Sequence, residues 1–471
     1  MTKGLTVHLS GICGIAMGTL ALMLHEKGYA VQGSDSGTYP PMSDLLAGKN
    51  IRVFDRYDHE NLKGAGLVII GNALSRGNPE VEHVLNSSMP YMSMAGALRE
   101  FFLKEKEVIS VSGTHGKSTT TALIAHILRT AGEDPSMFVG AVAENSGTSH
   151  LLGSGRYFII EGDEYDSAFF EKIPKFMYYR PSHLVLTSLE FDHADIFSSV
   201  EEIALWFKRL INTIPSKGII VHSTGYPYLT EVMKSSLSRN ISFGLAGADY
   251  TVESRRSAGS AHVSINASGG IIETSTSLLG DFNLLNIAAA AAITEMLGVS
   301  AEAVADGIAT FQGIRRRQQL IYSDEKVLVY EDFAHHPTAI RYMLDAIREA
   351  EPDAALTAVY EPRSATSRRN VFQDDTALAL SRADRAIVKK PFDQSRIPDD
   401  KRLDIEQLIN RINETGTSAS WHSDIDDIID EIVRAAGAPG KNVVVIMSNG
   451  GFDSIYSKLK ERLAAEARTS K

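Results

Sequence analysis

Through most of the chain, short and continuously apolar runs alternate with amphipathic stretches. This is the pattern of parallel strands covered on both faces and joined by helices. LTVHLS (5–10) reads as a strand, followed by the glycine-punctuated turn GICGIAMG (11–18), a helix to about Lys27, and a second strand (29–35) ending on Asp35. LVIIGNA (67–73) reads as a further parallel strand. A new strand, VISVSG, begins at Val108, and strands are expected at 157–163, 183–192 and 218–223, with helices at 119–131 and 200–214 between them. Residues 241–279 alternate and are β-rich, which predicts an antiparallel appendage. The alanine-rich run 285–297 predicts a closely packed helix. Beyond Gly313, strands are expected at 326–334, 355–362, 385–391 and 442–450, and a helix starts where Pro337 supplies a good first-turn residue. These blocks divide into domains at 1–106, 107–313 and 314–471.

Composition narrows the class. A chain of 471 residues fits about three domains of ~150 residues each. Hydrophobic residues make up 44%, enough apolar surface to exclude dominant disorder. The formal charge of -11 does not favour nucleic acid as a partner. A single cysteine, Cys13, excludes an intramolecular disulfide framework. No run approaches the ~18 apolar residues of a membrane span, and the apolar stretch 11–24 is broken by glycines with no cleavage site after it. A cytoplasmic enzyme without membrane insertion is expected.

The strongest local chemistry is Ser112-Gly-Thr-His-Gly-Lys-Ser118, set between an apolar strand and a helix. Free backbone N–H groups and the helix dipole there hold phosphate. Gly113 and Gly116 allow tight turns, Lys117 neutralises terminal phosphate oxygens, and the Ser118 hydroxyl is placed for Mg²⁺. Val111 occupies the first glycine position of the general P-loop pattern. Glu161 closes the apolar strand YFII at the place where such folds present a second Mg²⁺ ligand, and His193 lies just past another strand, in LEFDHAD. For Asp163, Asp166 and Asp195 a role and simple solvation are equally compatible with the pattern. ATP chemistry follows from these residues, but hydrolysis-driven motion, phosphoryl transfer and acyl activation all remain open.

Six motifs in order now resemble the Mur ligase family. They are GTHGKST (113–119), EGDEYD (161–166), LEFDHADIF (189–197), GDFNLLNIAAAAA (280–292), FQGIRRRQQ (311–319) and DFAHHPT (332–338). The resemblance implies an α/β, three-domain architecture: a Rossmann-like N-terminal domain for the UDP-sugar, a P-loop ATPase-like central domain, and an α/β C-terminal domain for the amine. It implies that Gly11, Gly14, Met17 and Gly18, with Asp35, receive the UDP end, and that Asn72 and Arg76 face the same ligand. ATP is then bound by Gly113, Thr114, Gly116, Lys117, Ser118 and Thr119, with Asn283 and Asn286 near adenine. Magnesium is assigned to Ser118, Glu161 and His193. Phe282 stands where the family usually has histidine. Arg315, Arg316 and Arg317 match the basic run at the hinge between the central and C-terminal domains, of which at most one or two point at phosphate; Arg316 is taken for that role, with the other two as alternatives. Asp332 and His336 match the motif that closes over the nucleotide, with His335 the alternative to His336. Lys117, His193, Arg316 and His336 are the expected catalytic set.

YPPMS (39–43), IIGNALSRGNPEVE (69–82), YEPRSATS (360–367) and MSNGGF (447–452) resemble the branch that attaches L-alanyl-γ-D-glutamyl-meso-diaminopimelate to UDP-N-acetylmuramate during murein recycling. ATP and Mg²⁺ are the implied cofactors, with an acyl phosphate as intermediate. Arg363, Ser448 and Asn449 are then candidates for the carboxylates of the tripeptide, a task suited to guanidinium and backbone donors. The alternative within the family is the ligase that adds free L-alanine to the same nucleotide. Outside it stand a P-loop phosphotransferase needing no amine and a regulatory nucleotide-binding module without turnover.

Overall fold

The computed structural model describes residues 4–38, 42–257 and 260–469, so Tyr39–Pro41 of the YPPMS stretch lie outside the described residues. The described residues build three α/β sheets in succession, with a small two-stranded antiparallel ribbon, Asp166–Ala168 and Glu171–Pro174, beside them. The first has five parallel strands in the spatial order Arg52–Phe54, Ala30–Ser34, Thr6–Ser10, Leu67–Ile70, Tyr91–Ser93. Strand order reverses between Thr6–Ser10 and Leu67–Ile70. The turns after those two strands therefore open the crevice in which parallel sheets bind ligands.

Ten strands form the central sheet. Its parallel heart is Ile219–Ser223, His183–Leu186, Glu107–Ser112 and Tyr157–Gly162, with Ser136–Ala143 beyond. The β-rich segment expected as an appendage is joined to this sheet. Arg239–Gly244 pairs parallel with Ile219–Ser223 and then with Tyr250–Ser257, from which two antiparallel strands continue. The alternating pattern identified the antiparallel part correctly but carried no sign of the parallel join. The strand expected over 183–192 stops at Leu186, leaving residues 187–192 as a loop at the carboxyl edge. The alanine-rich helix is Asp281–Met296. Ala288 to Ala292 are fully buried against the helix Lys117–Thr130, where small side chains permit close approach.

The third sheet orders Gln319–Ser323, Val327–Asp332, Asn442–Met447, Ala355–Tyr360, Arg385–Lys389 and Ser418–His422. Only its first strand is antiparallel. Every residue of Asn442–Met447 is buried, as its unbroken apolar sequence requires. Among the described residues, no helix is long and apolar enough to cross a membrane.

Candidate active site

The phosphate loop connects strand Glu107–Ser112 to helix Lys117–Thr130, and two glycines fix its path. Gly116 is left-handed at φ +80° and caps the helix; a Cβ there would collide with Asn286 Oδ1. At Gly113, φ +136°, a Cβ would lie 2.7 Å from the Ser188 nitrogen. Asn286 accepts from Thr120 Oγ1 (3.1 Å) and donates to Asn283 Oδ1 (3.1 Å), and Asn283 donates to Gln318 Oε1 (2.9 Å). The two asparagines are thus a buried brace between the loop, its neighbouring helix and the start of the third sheet.

Lys117 points into a cluster of acids. Its Nζ donates to both oxygens of Glu164 at 3.0 and 3.1 Å, and His193 Nε2 meets Glu164 Oε1 at 3.1 Å. Burial pulls Lys117 toward neutrality, but the carboxylates of Glu164, Asp163 and Glu161 outweigh it and hold the ammonium charged. His193 likewise loses to burial and gains more from Glu164 and Asp192, so its pKa rises. Asp163 resists burial through Lys175, 2.7 Å away, and through Lys117, and is held well below the usual carboxylate range. Ser118 Oγ lies 3.0 Å from both Glu161 oxygens, and the Gly140 amide donates to Glu161 at 2.9 Å.

The donor atoms of Asp163, Glu164 and His193 lie within 4.8 Å of one another. Carboxylates, a hydroxyl and one imidazole form an oxygen-rich set that fits Mg²⁺. Sequence reasoning singled out Glu161 and His193 but missed Glu164, which is only 3% exposed. Its signal was present in EGDEYD, but four acids in six residues do not say which one turns inward.

These groups line a cavity of about 370 Å³ between the central and C-terminal domains. Thr114, Lys117, Ser118, Thr119, Asn283 and Asn286 form one side; Asp332, His335, His336, Ser364, Thr366 and Asn449 face them. Phe282, at the family's histidine position, stacks on Tyr342 (interplanar angle 7°) at the edge of the same cavity. Asp332 caps its own turn, accepting from the Gln318 and Ala334 amides at 2.8 and 2.7 Å.

The arginine run divides in the structure. Arg316, expected at the phosphates, turns into the C-terminal domain and donates to Glu331 (2.7 Å) and to the Ser448 and Gly450 carbonyls (3.0 and 2.5 Å). Both guanidiniums pack over the Phe333 ring, Arg316 at 5.3 Å and Arg317 at 4.8 Å from its centre, but of the two it is Arg317 that lines the cavity.

The adjacent histidines also separate. His336 caps helix Pro337–Ala350: Nδ1 accepts from the Thr338 amide at 3.2 Å, which leaves Nε2–H to donate to the Phe191 carbonyl at 3.1 Å. Both nitrogens are committed, and burial with the neighbouring His115 lowers its pKa to about 4. His335 uses Nδ1 on the Phe333 carbonyl (3.1 Å), leaving the lone pair on Nε2, 4.0 Å from Asp192. Burial holds this ring neutral too.

At the first sheet, Gly11 turns at φ +86°, and Asp35 accepts from the Cys13 amide (2.9 Å) and the Gly37 amide (3.0 Å). Gly14 caps helix Ile15–Glu26, and a Cβ at Gly18 would displace the Met42 side chain. Met17 is buried, its side chain packed beside Gly71. Asn72 donates across the domain boundary to Asp166 (3.2 Å). Arg76 is held by both oxygens of Glu82 (2.8 and 3.0 Å).

In the third sheet, Arg363 packs over Phe392 and reaches Glu361 at 3.4 Å. Glu361, buried, also accepts from Ser448 (2.5 Å) and Lys389 (3.4 Å), and Lys389 pairs with Asp453. Asn449 borders the cavity with a buried Oδ1 that finds no partner among the described residues. Lys389 was not singled out from sequence, since a lysine ending an apolar strand ordinarily reads as solvated.

Known proteins supply a frame for this geometry. Over 98% of its length and 99% of the relative's, the chain is 38% identical to a UDP-N-acetylmuramate–L-alanyl-γ-D-glutamyl-meso-2,6-diaminoheptandioate ligase of Escherichia coli. It is 35% identical to the Haemophilus influenzae protein of the same name, over 97% and 99%. A crystal structure of a murein peptide ligase from Psychrobacter arcticus superposes with a TM-score of 0.73 at 33% identity, covering 98% of this chain and 99% of that one. Three family models match in order: the Mur ligase catalytic domain over residues 6–106, the middle domain over 111–294, and the glutamate ligase domain over 316–450. With the phosphate loop, acid cluster and facing domain all in place, the chain belongs to the Mur ligase family of ATP-dependent amide-bond-forming ligases.

Proposed function

We propose that this chain joins the lactyl carboxylate of UDP-N-acetylmuramate to the amine of L-alanyl-γ-D-glutamyl-meso-diaminopimelate at the expense of ATP, as a cytoplasmic enzyme of murein recycling. The observation that carries the reading is the shared cavity. Its phosphate-loop wall faces a second wall, in the C-terminal domain, that holds the unpartnered Asn449 Oδ1, with Ser364 and Thr366 beside it. A transferase that needed no amine would have no use for that second wall.

Hydroxide is a poor leaving group, so the carboxylate is first activated. It attacks the γ-phosphate in line, ADP departs, and an acyl phosphate forms. Lys117 exchanges Glu164 for the phosphate oxygens, and Arg317 reaches them from the other wall. Ser118 and Glu161, and on the substrate side His193 with Glu164, are the residues that would hold Mg²⁺, which would supply Lewis-acid stabilisation of the charge that develops there. The tripeptide amine then attacks the acyl carbon and phosphate leaves. His335, with its free Nε2, accepts the amine proton, while His336 orients the wall by holding Phe191. Gly11, Gly14, Asp35, Asn72 and Arg76 seat the UDP end. Arg363 and the Ser448–Asn449 turn seat tripeptide carboxylates. The facing walls exclude the water that would hydrolyse the acyl phosphate.

The test is phosphate release with ATP, Mg²⁺ and UDP-N-acetylmuramate, offering L-alanine or the tripeptide, with product mass read in parallel. Release with a tripeptide-sized mass gain is expected only with the tripeptide. Turnover with L-alanine alone moves the chain to the biosynthetic reaction and removes the role given to Arg363.

A further inference from the structure

His193 sits in a backbone conformation that L-residues avoid, φ +56°. A non-glycine residue held there costs of order 1 kcal/mol and persists only where its surroundings fix it. Within the central domain the turn is fixed on two sides. The His193 amide donates to Asp192 Oδ1 at 2.6 Å, and its carbonyl accepts from the Ile196 and Phe197 amides at 2.8 and 2.9 Å. The third fixing point comes from the other domain. The Ala194 amide, next along the chain, donates to Thr366 Oγ1 at 3.1 Å, and Thr366 is buried. His336 meanwhile grips the Phe191 carbonyl, and Phe372 packs on the Phe191 ring with centroids 6.0 Å apart.

We propose that Thr366 is a positioning residue: by accepting the Ala194 amide, its hydroxyl locks the left-handed turn at His193 and couples seating of the C-terminal domain to the geometry of the metal ligand. Thr366 lies two residues from Ser364 on the wall facing the phosphate loop. Movement of that wall on binding the amine substrate is therefore transmitted through one hydrogen bond to the imidazole that meets Glu164. The inference rests on the reading of His193 as a magnesium ligand.

Two variants test it. Thr366→Val keeps the shape and removes the acceptor, leaving the Ala194 amide without its partner; Thr366→Ser keeps the acceptor and loses a methyl group. Mn²⁺, used as the probe, is titrated by electron paramagnetic resonance into the full chain with an unreactive ATP analogue and UDP-N-acetylmuramate. The wild type is expected to take up two ions. In Thr366→Val the weaker ion should bind about tenfold less tightly with the tighter one unchanged, and kcat should fall while the KM for ATP stays put. Thr366→Ser should behave as wild type in both assays. Wild-type Mn²⁺ binding in Thr366→Val overturns the proposal, as does a Thr366→Ser defect equal to that of the valine variant, which would mark a packing role. If His193→Ala leaves both ions in place, the magnesium reading itself fails, and the proposal with it.

Discussion

Two nearly inaccessible carboxylates, Glu80 in the helix Pro79–Leu85 and Glu164 just past the strand Tyr157–Gly162, have surroundings that differ in kind. Glu80, 0% exposed, accepts from Ser10 and Ser34 at the ends of two strands of the first sheet (2.5 and 2.6 Å), from Asn61 and the Asp58 amide (2.9 and 3.3 Å), and meets His8 at 3.3 Å. Burial raises its pKa, but the donors outweigh it and bring the group down to about 2. Every partner belongs to its own domain. Glu164 has two side-chain partners, Lys117 and His193, and both are groups that a phosphate or a metal would claim. The first carboxylate completes a structure. The second is held by groups whose chemistry suits a phosphate or a metal ion. Burial alone does not separate a working acid from a structural one; the identity of its donors does.

The contrast is broken most easily by exchanging the consequences. Lys117→Met should reduce phosphate release by about 10³-fold or more, the scale of losing a main electrostatic clamp on the transferring group. Glu80→Gln should instead destabilise the chain by about 3 kcal/mol in denaturant unfolding, because one oxygen that accepts several donors becomes an NH₂ group. Its kcat should stay near wild type. If Glu80→Gln lowered kcat at unchanged stability, the first carboxylate would be a working group too, and the distinction by donors would collapse.

That distinction also marks what the sequence could show. Glycine turns, strand-loop-helix junctions and the order of domains follow from local patterns. The phosphate loop was therefore readable down to Gly116, although its reason, the Asn286 side chain pressing on it, was not. Glu164, Lys389 and the Thr366 contact depend on which side chain turns inward after chain segments far apart have met, and periodicity does not encode that. The arginine run was the sharpest case: three identical neighbours carry no sequence signal, and only the folded chain shows Arg317 lining the cavity while Arg316 pairs with Glu331.

That division is testable at an intermediate scale. Arg317→Ala should lower kcat/KM for ATP by about 10²-fold with little change in melting temperature, the loss expected for one donor at a developing charge. Arg316→Ala should do the reverse. It abandons Glu331 and two carbonyls of the C-terminal domain and should cost about 2 kcal/mol of stability. A pair of variants with these effects interchanged would return Arg316 to the phosphates and show that the C-terminal domain turns relative to the loop during the reaction.

The smallest effect concerns the joint between the two walls. His336 bridges them as a neutral ring, with His115, Glu190, Asp192 and His335 as its charged or titratable neighbours; the two acids favour a proton, but burial and His115 prevail. Protonation would cost it the Thr338 amide, since the accepting nitrogen would become a donor. In a released C-terminal domain the same ring would titrate near 6.5, against about 4 when docked. Between those values the released form binds more protons. The contribution to docking is therefore complete above about pH 6.5 and is lost as pH falls toward 4, by about tenfold at pH 5.5. Cys13 is buried and is the only native cysteine, so dyes on cysteines introduced at exposed Leu237 and Glu414 would report the distance between domains by energy transfer. Separation should grow between pH 7 and 5.5 in the wild type and stay flat in His336→Asn, whose amide has no proton to gain. A flat wild-type profile would mean that the ring does not sense release, and that the hold on residues 191–194 rests on Thr366 and Phe372 alone.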